Sequence, residues 1–174
     1  GVDWVTATTK EDDVGIFLGR LFKRYMARNP GFVRDWRFPG GYLGQISDNM
    51  GFAYCEKYGY LCQATSIEGE SLMKALVKAS LVPKVKVTRI DLRVDVKLMK
   101  EVNPEVAERV FRQHEGSLRP KLRLVKGSGG GSTVYIGSPK SRMFARLYDK
   151  GAEAGGSPGN LWRSEVVYRK PHGD

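Results

Sequence analysis

The chain has 174 residues, 41% of them hydrophobic and 10% aromatic, which suits one folded domain with a real core and excludes a wholly disordered chain. Its 29 Lys and Arg against 19 Asp and Glu give a formal charge of +10, which disfavours basic partners and favours phosphate polyanions. No apolar stretch is long enough to span a bilayer. Cys55 and Cys62 lack metal-ligand spacing, and the opening Val2-Asp3-Trp4-Val5 does not read as a secretory leader, so a reducing cytoplasm is the expected compartment.

Val2 to Thr8 alternates apolar and small polar residues and predicts a strand. A helix follows, with Thr9 as its expected cap and Glu11, Asp12 and Asp13 in the first turn, where the helix dipole favours negative charge. Val14, Phe17, Leu18, Leu21, Phe22, Tyr25 and Met26 recur at helical spacing until Asn29-Pro30-Gly31 ends it. Phe32 to Gly41 is aromatic, basic and expected to be irregular. Tyr42–Ser47, Gly51–Glu56 and Gly59–Thr65 predict three short strands, and a second helix is expected from about Glu70 to Ser80. Val85–Val96 is the clearest strand, with Ile90, Leu92, Val94 and Val96 on an expected core face. Asn103-Pro104 predicts a helix start, with Val106, Val110 and Phe111 on its apolar side. Leu118–Val125, Thr133–Ile136, Met143–Tyr148 and Trp162–Tyr168 predict the remaining strands, with small-residue loops at Gly127–Ser132 and Ala152–Asn160. The order predicts an α+β fold over residues 1–174: a curved, mostly antiparallel sheet with helices on its outer face, as one domain whose halves look loosely like two βαβ-type units.

Three strand faces could carry chemistry. Arg89, Asp91, Arg93 and Asp95 share the polar side of one strand, with the two aspartates about 13 Å apart. Arg146, Tyr148 and Lys150 share a side of another, where two cations are expected to stabilise a phenolate. Arg163, Glu165 and Arg169 share a side of the last. Each face taken alone also fits a solvated salt-bridge ladder or a surface tyrosine. Together they supply what phosphodiester transfer needs: a nucleophile, cations for the added charge, and carboxylates for a hard divalent cation, Mg2+ or Mn2+ rather than zinc. From Gly116 to Tyr148 there is no Asp or Glu, while Arg119, Lys121, Arg123, Lys126, Lys140, Arg142 and Arg146 all fall there, which predicts a phosphate-binding face. Phe32, Trp36, Phe38 and Tyr42, mixed with Arg34 and Arg37, suggest a platform on which bases stack.

Three segments carry a resemblance. Val87-Thr88-Arg89-Ile90-Asp91-Leu92-Arg93-Val94-Asp95 resembles the first signature of the replication-initiation-factor family, which contains initiators of rolling-circle plasmids and filamentous phages and relaxases of some conjugative elements. Thr133-Val134-Tyr135-Ile136-Gly137-Ser138-Pro139-Lys140-Ser141, running on to Arg146-Leu147-Tyr148-Asp149-Lys150-Gly151, resembles the second. Trp162-Arg163-Ser164-Glu165-Val166 resembles the third, and Val2-Asp3-Trp4 is similar to the family's opening strand. Pro139 stands where the family is usually basic or polar.

The resemblance implies a nicking and joining enzyme of single-stranded or origin DNA that stays attached through a 5′-phosphotyrosine on Tyr148. It implies metal-binding acids at Asp91 or Asp95 together with Glu165, and phosphate contacts from Arg146, Lys150 and Arg163. Arg89, Arg93, Arg142, Lys140, Arg123, Lys121, Trp36 and Arg37 complete the expected DNA surface. A host helicase and a second copy of the chain are the further partners implied, and a C-terminal extension of relatives is expected to be missing. The competing expectation is a DNA-binding regulatory or origin-binding module without catalysis, which needs the basic face but neither Tyr148 nor metal. Recognition of structured RNA is a third, less favoured reading, since no common RNA-binding motif is present.

Overall fold

The computed structural model describes residues 1–31, 33–97, 109, 113, 122–126, 132–153, 155 and 161–170. The helix expected after Asn103, Lys121, Phe32 and most of the Gly127–Ser132 loop lie outside the described residues. The described chain forms two compact units, one of Gly1–Asp91 with Lys170 and one of Leu92–Arg169.

In the first unit, β1 (Val2–Thr9) buries every second residue from Val5, namely Val5, Ala7 and Thr9. Helix α1 (Asp12–Arg28) covers that side with Val14, Leu18, Phe22 and Tyr25, spaced to form one stripe. Its N-cap is Glu11, with no side-chain cap bond. Thr9, the expected cap, instead donates its hydroxyl to the Lys84 carbonyl at 2.9 Å and accepts the Glu11 N–H at 3.1 Å. Asn29 closes the helix as expected, its side-chain amide bonding the Tyr25 carbonyl.

Strand β2 (Val33–Phe38), β3 (Tyr42–Ser47), β4 (Met50–Cys55) and β5 (Gly59–Thr65) follow, paired antiparallel in succession, with β5 returning to β1. The irregular segment expected before Tyr42 is therefore mostly strand. Six residues of β2 match six of β3, and a 3-10 turn at Pro39–Gly41 joins them, with Gly40 and Gly41 at φ +81° and +84°.

Helix α2 (Ser66–Lys78) starts four residues before the expected Glu70. Gly69 disguised the start, because glycine is a poor helix residue. In place it is buried, and a side chain there would press on the Ala64 carbonyl and Val2 at 3.3 Å. Leu72 and Leu76 of α2 join α1, β1, Cys62 and Ala64 in one core, so both helices cover one face of these strands. A smaller cluster of Phe38, Tyr42, Ala53 and Leu61 fills part of the other face.

Strand β6 (Lys86–Lys97) begins in the first unit beside β1. The second unit holds its later half, then β7 (Leu122–Lys126), β8 (Ser132–Ile136), β9 (Met143–Asp149), a helical turn α3 (Lys150–Glu153) and β10 (Leu161–Arg169). Strand order there is β6-β10-β9-β8-β7. The β7–β8, β8–β9 and β9–β10 pairs are antiparallel. The fold is α+β with antiparallel pairing, as expected.

One face assignment is reversed. Ile90 packs against the first core, but Leu92, Val94 and Val96 are 48%, 63% and 45% exposed, whereas Asp91 on the other side is 1% exposed. The Arg89 guanidinium, bonded to both carboxylate oxygens, makes the burial of that charge tolerable.

Candidate active site

Register brings the site together in the second unit. Cross-strand partners share a face. One row runs Val125, Thr133, Tyr148, Arg163 and the next runs Arg123, Tyr135, Arg146, Glu165 across β7, β8, β9 and β10. Two of the three expected clusters, from β9 and β10, are thus interleaved on one surface.

Glu165 is the centre. Its side chain is 0% exposed, and both carboxylate oxygens are engaged. Tyr148 donates its phenol to Oε1 at 2.5 Å, and Arg146 holds Oε2 through Nε at 2.5 Å. The Arg146 guanidinium also lies 5.4 Å from the Tyr148 ring centre. Beside them Arg163, 7% exposed, chelates Asp95 through Nε and an NH2 group at 2.6 and 2.8 Å. The Arg163 guanidinium, helped by Arg93 and Lys150, holds the Asp95 carboxyl below its ordinary range.

Tyr148 behaves contrary to the expected stabilised phenolate. Burial first, then its hydrogen bond to Glu165, push its phenol well above the ordinary value, with Arg163 opposing. Lys150 sits beyond the end of β9, in α3, and its ammonium pairs with Glu153 rather than with the phenol.

Among the other expected residues, Asp91 and Arg89 lie in the first unit. Arg89 grips Asp91 with Nε at 2.9 Å and an NH2 group at 2.5 Å, and stacks 4.3 Å over the Trp4 ring. In the sequence Trp4 reads only as part of an opening strand. The alternation of half-buried Trp4, Thr6 and Thr8 with buried Val5, Ala7 and Thr9 is the available signal, since that side of β1 is not core. Trp36 is 43% exposed on β2, but Phe38 and Tyr42 are buried core rather than platform. Alternation puts Arg37 on the opposite face from Trp36. Arg34 is the cation that shares its face, 4.4 Å over its ring. Arg123, Lys140 and Arg142 are exposed in the second unit, and Arg93 is half-buried there.

Carboxylate oxygens are the right donors for Mg2+ or Mn2+. The arrangement is less suited: Asp91, Asp95 and Glu165 each carry an arginine, and no group of three metal-type ligands gathers among the described residues. As placed, these acids do not fit a divalent ion without releasing a guanidinium.

Among known proteins, no family model matches the sequence and no curated protein matches it. Its structure is similar to that of a rolling circle replication initiator protein from Geobacillus stearothermophilus, with a TM-score of 0.67 and 21% sequence identity over 97% of this chain and 73% of that one. The likeness is one of fold.

Proposed function

We propose that this chain initiates rolling-circle replication by nicking and rejoining single-stranded DNA through Tyr148. The observation that carries the reading is the Tyr148 phenol seated on a fully buried carboxylate, with Arg146 and Arg163 beside it. A phosphate brought to this face meets a nucleophilic oxygen and guanidinium groups able to stabilise the charge added during in-line displacement. Attack at phosphorus leaves a free 3′-hydroxyl and a 5′-phosphotyrosine. Arg123, Lys140 and Arg142 extend the cationic surface for the strand, and Arg34 with Trp36 offers a stacking position in the first unit. A host helicase and a second copy of the chain are the partners such a cycle calls for. Binding of Mg2+ or Mn2+ by Asp95 or Glu165 would require displacing an arginine, and the ion would then supply Lewis-acid help at the phosphate. With each acid paired to an arginine, Tyr148 and the guanidinium groups carry the chemistry.

The test is covalent capture. Labelled single-stranded oligonucleotides spanning the protein's own genetic element are incubated with Mg2+ or Mn2+ and resolved on a denaturing gel. A protein–DNA band that disappears in Tyr148→Phe is the expected result. One observation favours the second reading, a non-catalytic DNA-binding module: the site is charge-balanced and the phenol is held protonated. Tight, salt-sensitive binding across the whole element with no covalent band would establish that alternative.

A further inference from the structure

Helix α1 gives its buried stripe to the first core and leaves its other side open. From Ile16 onward the exposed residues are Ile16, Arg20, Lys23, Arg24, Ala27 and Arg28. At 3.6 residues per turn the four cations share one side, with Arg20, Arg24 and Arg28 rising along it at about 6 Å intervals. No Asp or Glu follows Asp13 on the helix, and its two acids are engaged elsewhere, Asp13 with Lys84 and Asp12 with the Tyr60 phenol. The turn between β3 and β4 meets the helix at Tyr25, whose phenol oxygen accepts the Asn49 N–H at 3.3 Å. Among the described residues, Asp48 of that turn included, no carboxylate forms an ion pair with any of the four cations.

Two ordinary explanations fall short. The helix dipole favours cations in the last turn, which accounts for Arg28 but not for Arg20, Lys23 or Arg24. Pairing along the helix needs acids three or four residues away. Arg20 with Lys23, Arg20 with Arg24, and Arg24 with Arg28 are instead like-charge neighbours, which weaken a helix that has no anionic partner. The stripe also carries no ring, since Phe17, Phe22 and Tyr25 of α1 all pack into the core. Trp36, by contrast, shares a row with Gly44, Ala53 and Leu61, on the face of these strands away from the helices.

We infer that the α1 stripe is a second nucleic-acid site, which holds the sugar–phosphate backbone of duplex DNA. Sites for single strands combine a cationic track with rings on which unstacked bases lie, and this stripe has the track alone. In a duplex the bases are paired inside, so cations against phosphates suffice to position it, without reading sequence. The inference rests on the reading of this chain as DNA-binding, and not on the chemistry of Tyr148.

The experiment measures fluorescence anisotropy of a blunt DNA duplex, an RNA duplex of the same sequence and an oligothymidine with the full chain at several salt concentrations. The variant replaces Arg20, Lys23, Arg24 and Arg28 with glutamine, which removes the charges at similar helix propensity. For the DNA duplex, the slope of log affinity against log salt should fall by about 3–4, at about 0.9 per contact, while the oligothymidine slope changes little. An equal fall on both DNAs would mean diffuse attraction, and an unchanged duplex slope would leave the stripe a solvated face; either overturns the inference. Tighter binding of the RNA duplex by the wild type would overturn the assignment to DNA. Should the fourfold variant lose its helical circular dichroism, Arg20→Gln with Arg24→Gln decides, with an expected fall of about 2 on the DNA duplex alone. Covalent capture on single strands is run beside it. A wild type that forms the covalent band but does not bind the duplex overturns this inference and leaves the nicking reading standing. A wild type that binds the duplex through the stripe but forms no band overturns nicking alone.

Discussion

Tyr148 and Glu165 constrain each other before any substrate arrives. Removing the phenol in Tyr148→Phe leaves Glu165 Oε1 buried without its donor, so the variant should lose about 1–3 kcal/mol of stability near neutral pH. The pH dependence follows from the upward shift of the phenol. A raised value stabilises the fold below the ordinary 10 and loses that contribution as pH climbs through the folded value. The melting-temperature gap between wild type and Tyr148→Phe should therefore narrow in strongly alkaline buffer. A gap that stays constant there would mean that Glu165 does not hold the proton on Tyr148. Asp95 gives the opposite sign. Arg163 depresses its carboxyl, so its contribution is present above the ordinary 3.8 and lost as pH falls through the folded value. In chelator, Asp95→Asn should destabilise at pH 7, by only about 1–2 kcal/mol because Asp95 retains solvent access. Its melting curve should merge with that of wild type in acid, and a difference surviving acidification would point to lost packing instead.

At the scale of elements, side chains that repeat with the period of their element were readable, and positions set by a distant neighbour were not. The stripe Val14, Leu18, Phe22, Tyr25 announced α1, and turn residues around Lys57-Tyr58-Gly59 announced the hairpin between β4 and β5. The start of α2 was hidden by Gly69, whose small size answers a contact with β1 and β5 that no local pattern reveals. The polar side of β6 was visible as a pattern, but the burial of Asp91 and the pairing of Asp95 with Arg163 were not, because they depend on what packs beside the strand, Arg163 coming from β10. For the same reason Tyr148, Arg146 and Glu165 were legible as residue types, while the transfer of the phenol's bond to Glu165 required the β9–β10 register. Gly59 tests the element-level account. It sits at φ +82°, and an added Cβ would fall 2.2 Å from the Thr9 carbonyl oxygen. Gly59→Ala should cost at least about 1–2 kcal/mol from left-handed strain alone, measured by urea unfolding. A neutral result would mean that the hairpin relaxes away from β1.

Over the whole molecule, the charge of +10 predicts attraction to any nucleic acid, so affinity alone says little about where DNA lies. Salt dependence is more informative, because each phosphate neutralised contributes a fixed share of the slope of log affinity against log salt. Arg123, Lys140 and Arg142 are exposed on the second unit, whose described strands also carry Tyr148. If a single strand runs over that surface to reach the phenol, replacing all three with alanine should lower the slope by about 2, at roughly 0.7 per contact for single-stranded DNA. Diffuse attraction makes a different prediction: losing three of 29 basic residues would trim the slope only slightly. Fluorescence-anisotropy titrations of an oligonucleotide at several salt concentrations, with wild type and the triple variant, separate the two. The same titration with Trp36→Ala adds a salt-independent control. Stacking loss weakens binding by about 1–3 kcal/mol at every salt concentration and leaves the slope alone, so a changed slope in that variant would place Trp36 among electrostatic rather than stacking contacts.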